Sequence, residues 1–574
     1  MPPRYDVVLI HAPSIYDFRR RPVFYGPIAD VIPSSPVFEM YPMGFATLAS
    51  HLRREGFRVR IVNLALLMMR DRDLDVDRYL AGLHARLFGI DLHWLPHVHG
   101  SLAVAERLKA LHPDVPIVFG GISSTYFHEE LIRRTEVDFV LRGSLCEHAL
   151  AELTRQLGGT REFAAVPNLA WKENGTVRVN PIAPPVHGMD AYDLDLGMFI
   201  RDVVSRLDFW SSIPFHAWWR HPITAVFTVR GCGHGCVTCG AADEAFRRFM
   251  IGRHPMYRSP DGIAGLVRKF STITRAPVFL VGDVLDGGLD YANAVVDAIA
   301  RTRVENSIGF EFFAPPPVEF IRHLDQALPR WFAELSPESH DESVRGRLGK
   351  SRYTNPELEA GIATILDSRC SGLDLFFMVG LPGQTYENVM EGIDYVESLF
   401  ALFDERLSAF ITPMGPFLDP GSDAFERAEE LGYTRFARTL EEHRQLLENN
   451  DWEDMLSYET RWMTRRQLVD ATYDAAERLN AAKARYGRLD AATGTLVAAR
   501  IAAARALRSR MRPAGRAGHG PVPADLEPQL RADIMAFSAA MVQEKSELFP
   551  PGAFMRQFRL GGILRLLARD LVGG

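Results

Sequence analysis

The chain has 574 residues, of which 47% are hydrophobic and 24% are charged. This composition is typical of a globular protein and excludes a disordered, collagen-like or coiled-coil chain. The formal net charge of −7 leaves no excess of Lys and Arg with which a dedicated nucleic-acid-binding protein would neutralise phosphates. No apolar run predicts a transmembrane helix, and the N-terminus lacks a signal-peptide pattern, so we expect a cytoplasmic protein.

Residues 1–160 alternate strand and helix signals. The predicted strands are Asp6–His11, Phe57–Asn63, Leu87–His93, Val115–Gly120 and Val137–Leu141. Strands that alternate with helices predict an α/β fold, here a doubly wound, Rossmann-like parallel sheet covered on both faces. Ligands of such sheets bind at the carboxyl ends of the strands. The loops that follow the first, third and fourth strands are therefore the expected binding rim.

Residues 161–220 are predicted to connect this domain to a second one. They contain a β-hairpin signal around Asn174-Gly175. An aromatic stretch follows, which is interpreted either as packing between domains or as a wall of a substrate cavity; it consists of Phe209, Trp210, Phe215, Trp218 and Trp219.

A second alternation of strands and helices covers residues 221–430. Six predicted strands suit a partial (βα)6 TIM-type barrel, since a closed barrel needs more. They are Thr224–Val229, Val278–Val281, Ile308–Phe312, Trp331–Leu335, Leu373–Val379 and Leu407–Thr412.

The C-terminal part is predicted to be a helical region without strands. The predicted segments are a helical domain over 431–505, a flexible linker rich in Arg, Pro, Gly and Ala over 506–528, and amphipathic helices over 529–574. The leucine face of Leu560–Leu571 either docks on the protein body or lies on an anionic membrane surface. On the membrane interpretation, a chain ending near residue 505 stays folded and loses liposome binding.

The strongest motif is Cys232-x3-Cys236-x2-Cys239, directly after the first predicted barrel strand. Three thiolates on one loop can each ligate a different iron of a [4Fe–4S] cluster, which leaves the fourth iron open to a small molecule. A zinc site is the alternative, but the only nearby fourth ligand, His234, lies unfavourably inside the motif. The two remaining cysteines, Cys146 and Cys370, are predicted to be inert thiols.

This motif, in this place, resembles the radical S-adenosylmethionine (SAM) superfamily. The resemblance implies that the open iron binds SAM and that its reductive cleavage yields a 5′-deoxyadenosyl radical. Other segments resemble SAM-contacting segments of the family, although the first matches a Gly-Gly-Glu run only partly. The residues that the resemblance places in contact with SAM are Gly282 and Asp283 after the second strand, Glu311 in the third, Ser336 and Glu338 at the end of the fourth, and Gly380 and Pro382 after the fifth.

The N-terminal domain resembles the cobalamin (B12)-binding domain that often precedes this barrel, through residues 89–121 and 137–150. The resemblance implies cobalamin binding at a rim that includes His93, Gly120 and Gly121. The first strand is not followed by the Asp-x-His-x-x-Gly motif that supplies a histidine ligand to cobalt. Asp91-Leu92-His93 occurs after the third strand without the glycine. We therefore expect cobalamin to bind base-off, with no histidine ligand.

Together the resemblances imply a cobalamin-dependent radical SAM methyltransferase that acts on an unactivated carbon. The alternative is a radical SAM enzyme for carbon–carbon bond formation, cyclisation or rearrangement, without methyl transfer and with a lipid-like substrate. The intact cysteine loop argues against a non-catalytic sensor. The implied partners are a small-molecule or lipid-like substrate and an electron donor such as a flavodoxin or ferredoxin, with no nucleic acid. The membrane interpretation of the last helix adds a peripheral membrane contact.

Overall fold

A computed structural model describes residues 4–28, 30–184, 188–206, 208–216, 218, 220, 224–250, 255–350, 352–512, 526–537, 542–548 and 557–572. Trp219 of the aromatic stretch and residues 513–525 of the predicted linker lie outside the described residues. Within the described ranges, no helix is both long enough and apolar enough to cross a membrane.

The N-terminal domain is built on a seven-stranded sheet with the order β2-β1-β3-β4-β5-β6-β7. Its strands are β1 (Tyr5–His11), β2 (Val59–Asn63), β3 (Ala85–Asp91), β4 (Ile117–Gly120), β5 (Phe139–Leu141), β6 (Leu169–Glu173) and β7 (Thr176–Val179). The first five strands are parallel, which confirms the predicted doubly wound fold. The hairpin of the predicted connector pairs antiparallel with β5 and extends this sheet. The turn of this hairpin could be predicted from the local sequence, whereas its pairing with β5 depends on tertiary packing.

Helices cover both faces of this sheet. They are α1 (Met43–Arg54), α2 (Leu64–Arg70), α3 (Val76–Ala81), α4 (Val98–Leu111), α5 (Ile122–Tyr126), α6 (His128–Arg133) and α7 (Glu147–Gly158), and α8 (Leu196–Arg206) follows the hairpin. Alternate side chains of β1 enter two separate cores: Val8 and Ile10 join one, Val7 and Leu9 the other. For this reason, the sequence of a strand that is buried on both faces is a continuous apolar run.

The second domain is a six-stranded parallel sheet with the order β15-β14-β13-β12-β11-β8. Its strands, with a short ribbon of two further strands, are β8 (Thr224–Phe227), β9 (Val229–Arg230), β10 (Met256–Tyr257), β11 (Val278–Val281), β12 (Ile308–Phe312), β13 (Trp331–Glu338), β14 (Leu373–Val379) and β15 (Leu407–Pro413). The outer strands β8 and β15 do not pair with each other, so the barrel is open, as predicted.

The helices of the barrel are α9 (Asp243–Ala245), α10 (Pro260–Ile273), α11 (Leu289–Thr302), α12 (Val318–Ala327), α13 (Glu342–Leu348), α14 (Asn355–Leu366) and α15 (Tyr386–Leu402). Exposure alternates along β13: Ala333 and Leu335 are fully buried, whereas Glu334, Ser336 and Glu338 keep part of their surface accessible. The buried set belongs to the apolar core. The accessible set therefore lines the lumen of the barrel.

The C-terminal region contains α16 (Asp423–Glu426), β16 (Tyr433–Arg435), α17 (Leu440–Leu446), α18 (Trp452–Met455), β17 (Tyr458–Thr460), α19 (Arg465–Arg485) and α20 (Ala491–Met511). The predicted helical region is present, and it also contains an antiparallel ribbon of β16 and β17, for which the sequence shows no strand signal. The helix α20 extends to Met511, so residues 506–511 of the predicted linker are helical. Arg508 and Arg512 hold α20 in place by ion pairs with the buried acidic residues Asp451 and Glu453.

The last elements are α21 (Pro528–Ala536), α22 (Lys545–Leu548) and α23 (Leu560–Val572). The helix α23 docks on the barrel: a Cβ at Gly562 would lie 1.7 Å from the Thr272 carbonyl oxygen, and the Arg559 N–H donates to the Ile273 carbonyl (2.9 Å). Leu560 and Leu564, 61% and 64% exposed, point to solvent. The predicted leucine face is therefore divided between a docked part and an exposed part.

Candidate functional site

The three-cysteine loop leaves the barrel directly after β9 and is fixed at both ends. Gly231 adopts φ +83, which side chains with a Cβ rarely tolerate. The Gly240 N–H donates to the Asp419 carboxylate (3.1 Å), and a Cβ there would lie 2.8 Å from the Pro420 carbonyl oxygen. None of the three thiols is in a disulfide. The loop thus presents three thiols beside the ends of the barrel strands.

The chemistry of this donor set fits an iron–sulfur cluster. Burial raises the pKa of Cys236 and of Cys239 to about 12. These thiols are protonated at neutral pH, and the positive charge of a bound metal would stabilise their thiolates. His234 is not free to be a fourth ligand, because Nδ1 donates to the Lys350 carbonyl (2.6 Å) and Nε2 donates to Asp286 (2.8 Å). Asp286, also near the Cys232 thiol, is engaged by His234. Three thiols without a disengaged fourth ligand among the described residues suit a [4Fe–4S] cluster with one open iron and disfavour a closed zinc site.

His234 is a positioning residue for the cysteine loop, and we expect His234→Ala to loosen it. The variant loses a hydrogen bond to a carboxylate and one to a backbone carbonyl, which together stabilise by about 2–4 kcal/mol. A lower melting temperature and incomplete iron retention after reconstitution are expected. His323→Ala is the control, since His323 lies 2.9 Å from the Asp297 carboxylate at the surface. Unchanged iron content in the His234 variant would contradict this role.

A small cleft lies beside the cysteine loop. Its lining residues are Phe313, Ser336, Pro337, Glu338, Arg345, Leu348, Lys350 and Tyr353. Lys350 Nζ donates to Glu338 (2.6 Å) and to the Ser336 carbonyl (3.3 Å). Burial alone would lower the pKa of Lys350, but Glu338 outweighs it and the pKa is raised, so Lys350 is charged. The structure thus brings two predicted SAM residues together around a lysine that no sequence motif marked.

The other predicted SAM residues lie at different distances from this cleft. Glu311 accepts a hydrogen bond from the Gly282 N–H (2.7 Å), within electrostatic reach of Lys350. Asp283 holds the local backbone, accepting from the Leu285 and Phe313 N–H groups (2.9 Å each). Burial raises its pKa to about 7.

Gly380 and Pro382 do not line the cleft. Gly380 adopts φ +106, its N–H donates to Gln384 (2.8 Å), and its carbonyl accepts from Tyr433 (2.9 Å). Pro382 is buried in the same turn. These contacts order the turn that follows β14 and join it to the C-terminal region.

At the carboxyl edge of the first sheet, a histidine cluster surrounds Asp91. The buried His11 donates from Nδ1 to Asp91 (3.0 Å) and from Nε2 to the Phe38 carbonyl (2.9 Å). Burial alone would lower the pKa of His11, but Asp91 outweighs it and the pKa is raised. His93 donates from Nδ1 to Asp91 (2.7 Å), and the ring of His97 lies 4.9 Å away. The sequence marked the Asp91–His93 pair, but not its connection to His11, 80 residues distant.

The glycine pair after β4 packs against this cluster. Gly121 adopts φ +119, and a Cβ there would lie 2.5 Å from the His93 Cα atom. A Cβ at Gly120 would meet no heavy atom nearer than 4.0 Å. Gly121 is therefore required by the fold, whereas Gly120 leaves open space at the rim.

The carboxyl ends of the two sheets face each other. The ring of Trp94, directly after His93, packs against the loop that follows β15, where a Cβ at Gly415 would lie 3.3 Å from it. Asp419 of the same loop accepts a hydrogen bond from Gly240 of the cysteine loop. After β5, the Ser144 carbonyl accepts a hydrogen bond from Arg230 (3.0 Å), two residues before Cys232. The predicted rim of the first domain and the cysteine loop of the second thus share one interface.

Comparison with known proteins agrees with this division. Residues 30–153 match the family model described as B12 binding domain. The chain is 28% identical over 218 residues to an uncharacterized methyltransferase of Pyrococcus horikoshii, covering 36% of this chain and 42% of that protein. It is 27% identical over 141 residues to the anaerobic magnesium-protoporphyrin IX monomethyl ester cyclase of Synechocystis, covering 24% and 25%. The chain therefore spans less than half the length of these curated relatives.

Two solved structures share the fold over most of the chain. One is the radical SAM methyltransferase TsrM from Kitasatospora setae with tryptophan and a SAM analogue bound (TM-score 0.54, 16% identity, 75% of this chain and 78% of that one). The other is the cobalamin-dependent SAM radical enzyme OxsB with aqua-cobalamin bound (TM-score 0.52, 13% identity, 99% and 80%). At these identities the likeness establishes the fold.

Proposed function

We propose that this chain, which has the fold of the cobalamin-dependent radical SAM enzymes, is a methyltransferase that acts on an unactivated carbon of a small molecule. The observation that carries the proposal is the shared interface, where the loop after β15 binds Gly240 of the cysteine loop through Asp419 and packs on Trp94 of the N-terminal domain. Methyl transfer to a carbon radical requires the methyl donor to lie next to the site where the radical forms. A radical SAM enzyme that does not use cobalamin has no such need.

In this proposal, Cys232, Cys236 and Cys239 hold a [4Fe–4S] cluster. When bound, the cluster supplies the electron that cleaves SAM. Lys350 places a positive charge beside the cleft, where it can bind a carboxylate, and Glu338 keeps it in place. Glu311 fixes the Gly282 backbone at the end of β11. Asp283 orders the turn that follows. A flavodoxin or ferredoxin is the proposed electron donor.

Cobalamin is proposed to bind over the rim that includes His93, Gly120 and Gly121. We expect base-off binding without a nitrogen ligand, because the first strand is not followed by the histidine-ligand motif and His11 at its end uses both ring nitrogens internally. His93 is the histidine to test, since its Nδ1 donates to Asp91 and a histidine held in this way can offer Nε2 to a metal. Cobalamin-loaded protein, reduced to Co(II), should lack axial nitrogen splitting in its EPR spectrum. His93→Ala should leave that spectrum unchanged. Nitrogen splitting that disappears in the variant would identify His93 as a cobalt ligand.

Product analysis tests the proposed reaction. Each methyl transfer through cobalamin consumes one SAM for the radical and one for the methyl group, so 5′-deoxyadenosine and S-adenosylhomocysteine should form in equal amounts. The product should carry the label of SAM with a deuterated methyl group. A cyclising or rearranging enzyme would release 5′-deoxyadenosine without S-adenosylhomocysteine and leave the product unlabelled.

The exposed leucines of α23 support a peripheral membrane contact as a further part of the proposal. Burial of each leucine in a lipid interface contributes about 1.5–3 kcal/mol. Full-length protein should therefore sediment with anionic phosphatidylglycerol vesicles, and the double variant Leu560→Asp, Leu564→Asp should not. Leu402→Asp, at a site 67% exposed elsewhere, is the matched control. Equal sedimentation of wild type and the double variant would leave α23 a docked structural helix only.

A further inference from the structure

A row of carboxylic acids crosses the lumen of the barrel. The register of the parallel strands places Glu311 of β12 beside Glu334 of β13, and Glu334 beside Asp374 of β14. All three occupy the lumen-facing positions of their strands, while the adjacent Leu335 and Leu375 are fully buried in the core behind the sheet. The row lies below the cleft that contains Lys350 and continues towards the open side of the barrel.

Two members of this row make no direct polar contact with a described residue, although the Lys483 ammonium lies within electrostatic reach of Asp374. Glu311 accepts the Gly282 N–H (2.7 Å), but among the described residues no donor lies within hydrogen-bond or ion-pair distance of the Glu334 or Asp374 carboxylate. Burial raises the pKa of Asp374 to about 7 and that of Glu334 well above its usual range, and Asp374 adds to the shift of Glu334. Adjacent unpaired acids of this kind lower the stability of the ligand-free protein.

Aromatic rings surround the row. Phe376 stacks on Phe410 at 5.5 Å, and Phe279 stacks on Phe332 at 6.1 Å. Gly309 lies between the second pair, since a Cβ there would come within 2.5 Å of both rings. The lumen therefore combines carboxyl groups with flat apolar surfaces.

One lysine of this chain already contacts both an aromatic ring and a carboxylate at the edge of the lumen. The Lys483 ammonium of α19 lies 3.8 Å from the centre of the Phe410 ring and 2.8 Å from the Glu547 carboxylate. It is also within electrostatic reach of Asp374. Lys483 and Glu547 close the open side of the barrel at β15, and the Gln543 side chain donates to the Ile411 carbonyl (3.2 Å). One cation is thus bound on this wall, and the carboxylates deeper in the lumen are left for another.

We propose that the lumen takes a substrate with a protonated amine on an aromatic or apolar body, and that Glu334 and Asp374 bind the ammonium group. This inference rests on the proposed function, for which it names the substrate class. The rings would contact the apolar body and the ammonium. Two charge-assisted hydrogen bonds would replace the repulsion between neighbouring acids. SAM is also a cation, but its proposed place is the cleft of Lys350 and Glu338, at the carboxyl ends of the strands.

Binding of simple probes tests this substrate class. Full-length reconstituted protein is titrated calorimetrically at pH 8 with 2-phenylethylamine, 2-phenylethanol and 3-phenylpropionate. The amine should bind at least about tenfold more tightly than the alcohol, since each hydrogen bond to a charged group contributes about tenfold or more to the affinity. The carboxylate should bind more weakly than the alcohol. Equal affinity for amine and alcohol, or absence of binding by the amine, would overturn the proposal.

Two variants assign the preference to the carboxylates. The double variant Glu334→Gln, Asp374→Asn should lose the preference for the amine and keep its affinity for the alcohol. The exposed Glu319→Gln should behave as wild type. Without ligand, the double variant should melt at a higher temperature, because neutral amides replace unpaired acids. A lower melting temperature, or a preserved preference for the amine, would show that the two acids are structural.

The proposed function is measured separately in the same samples. Cluster iron and 5′-deoxyadenosine formation from SAM report on the cysteine loop, whereas the amine preference reports on the lumen. Normal SAM cleavage without amine preference would overturn only the substrate class. Amine preference without SAM cleavage would overturn only the radical SAM function.

Discussion

Simultaneous replacement of Cys232, Cys236 and Cys239 by Ala should remove all cluster iron and abolish SAM cleavage. Anaerobically reconstituted wild type should contain about four irons per chain, by the stoichiometry of a [4Fe–4S] cluster. The loss should be complete, because His234 and Asp286, which lie beside the Cys232 thiol, are engaged with each other and His234 also with the Lys350 carbonyl. Iron, acid-labile sulfide and 5′-deoxyadenosine are the three quantities to measure.

Cys370→Ala is the matched control for this experiment. Its thiol is buried away from the loop and donates to the Gly372 carbonyl (3.1 Å). Burial raises its pKa to about 12, so it is an inert thiol at neutral pH. The control should keep its iron and its SAM cleavage. A triple variant that retains the cluster would show that the ligands lie elsewhere.

Local sequence signals were sufficient for the fold class. Strands of the doubly wound sheet are buried on both faces, so each reads as a short apolar run that contrasts with its polar loops. The strands Val278–Val281, Ile308–Phe312 and Leu373–Val379 have the predicted bounds. The ribbon of β16 and β17 was missed because its strands have three residues each, too few to show an alternating pattern.

The candidate site was only partly predictable, because its contacts join distant segments. The cysteines lie on one loop and share one motif. Lys350 has no motif, and its proximity to Glu338 depends on the path of the chain after β13. The loop after β15 contacts the N-terminal domain beside Gly415 and the cysteine loop through Asp419, and its sequence contains no motif. The spacing of residues in a motif identifies ligands that one segment supplies, whereas contacts from other segments depend on how whole helices and strands pack.

The role of Asp283 illustrates the limit of motif transfer. Its place after the second barrel strand suggested a contact with SAM, whereas both carboxylate oxygens accept backbone N–H groups in the structure. Its contact with SAM remains a prediction. An acid used in this way orders a turn, as Asp residues commonly do at such positions. Its neighbour Glu311 contacts the same strand end and lies nearer to Lys350 in electrostatic terms.

Substitutions in the glycine pair at the rim, Gly120 and Gly121, should have the second large effect. Gly121→Ala should destabilise the N-terminal domain, because φ +119 is strained for alanine and its Cβ would lie 2.5 Å from the His93 backbone. The strain alone costs about 1–3 kcal/mol, and the clash adds to it. Since His93 cannot move without disturbing its bond to Asp91, the melting temperature should fall whether or not cobalamin is present.

Gly120→Ala should have the opposite effects, which are an unchanged melting temperature and weaker retention of cobalamin. Its Cβ would meet no protein atom nearer than 4.0 Å, so the melting temperature of the cobalamin-free protein should be unchanged. If cobalamin lies against this rim, the added methyl group occupies space that the cofactor needs, and less cobalamin should be retained after gel filtration. Retention at the wild-type level in a normally folded Gly120 variant would place the cofactor away from this glycine. The two neighbouring substitutions thus separate a glycine that the fold requires from one that the cofactor requires.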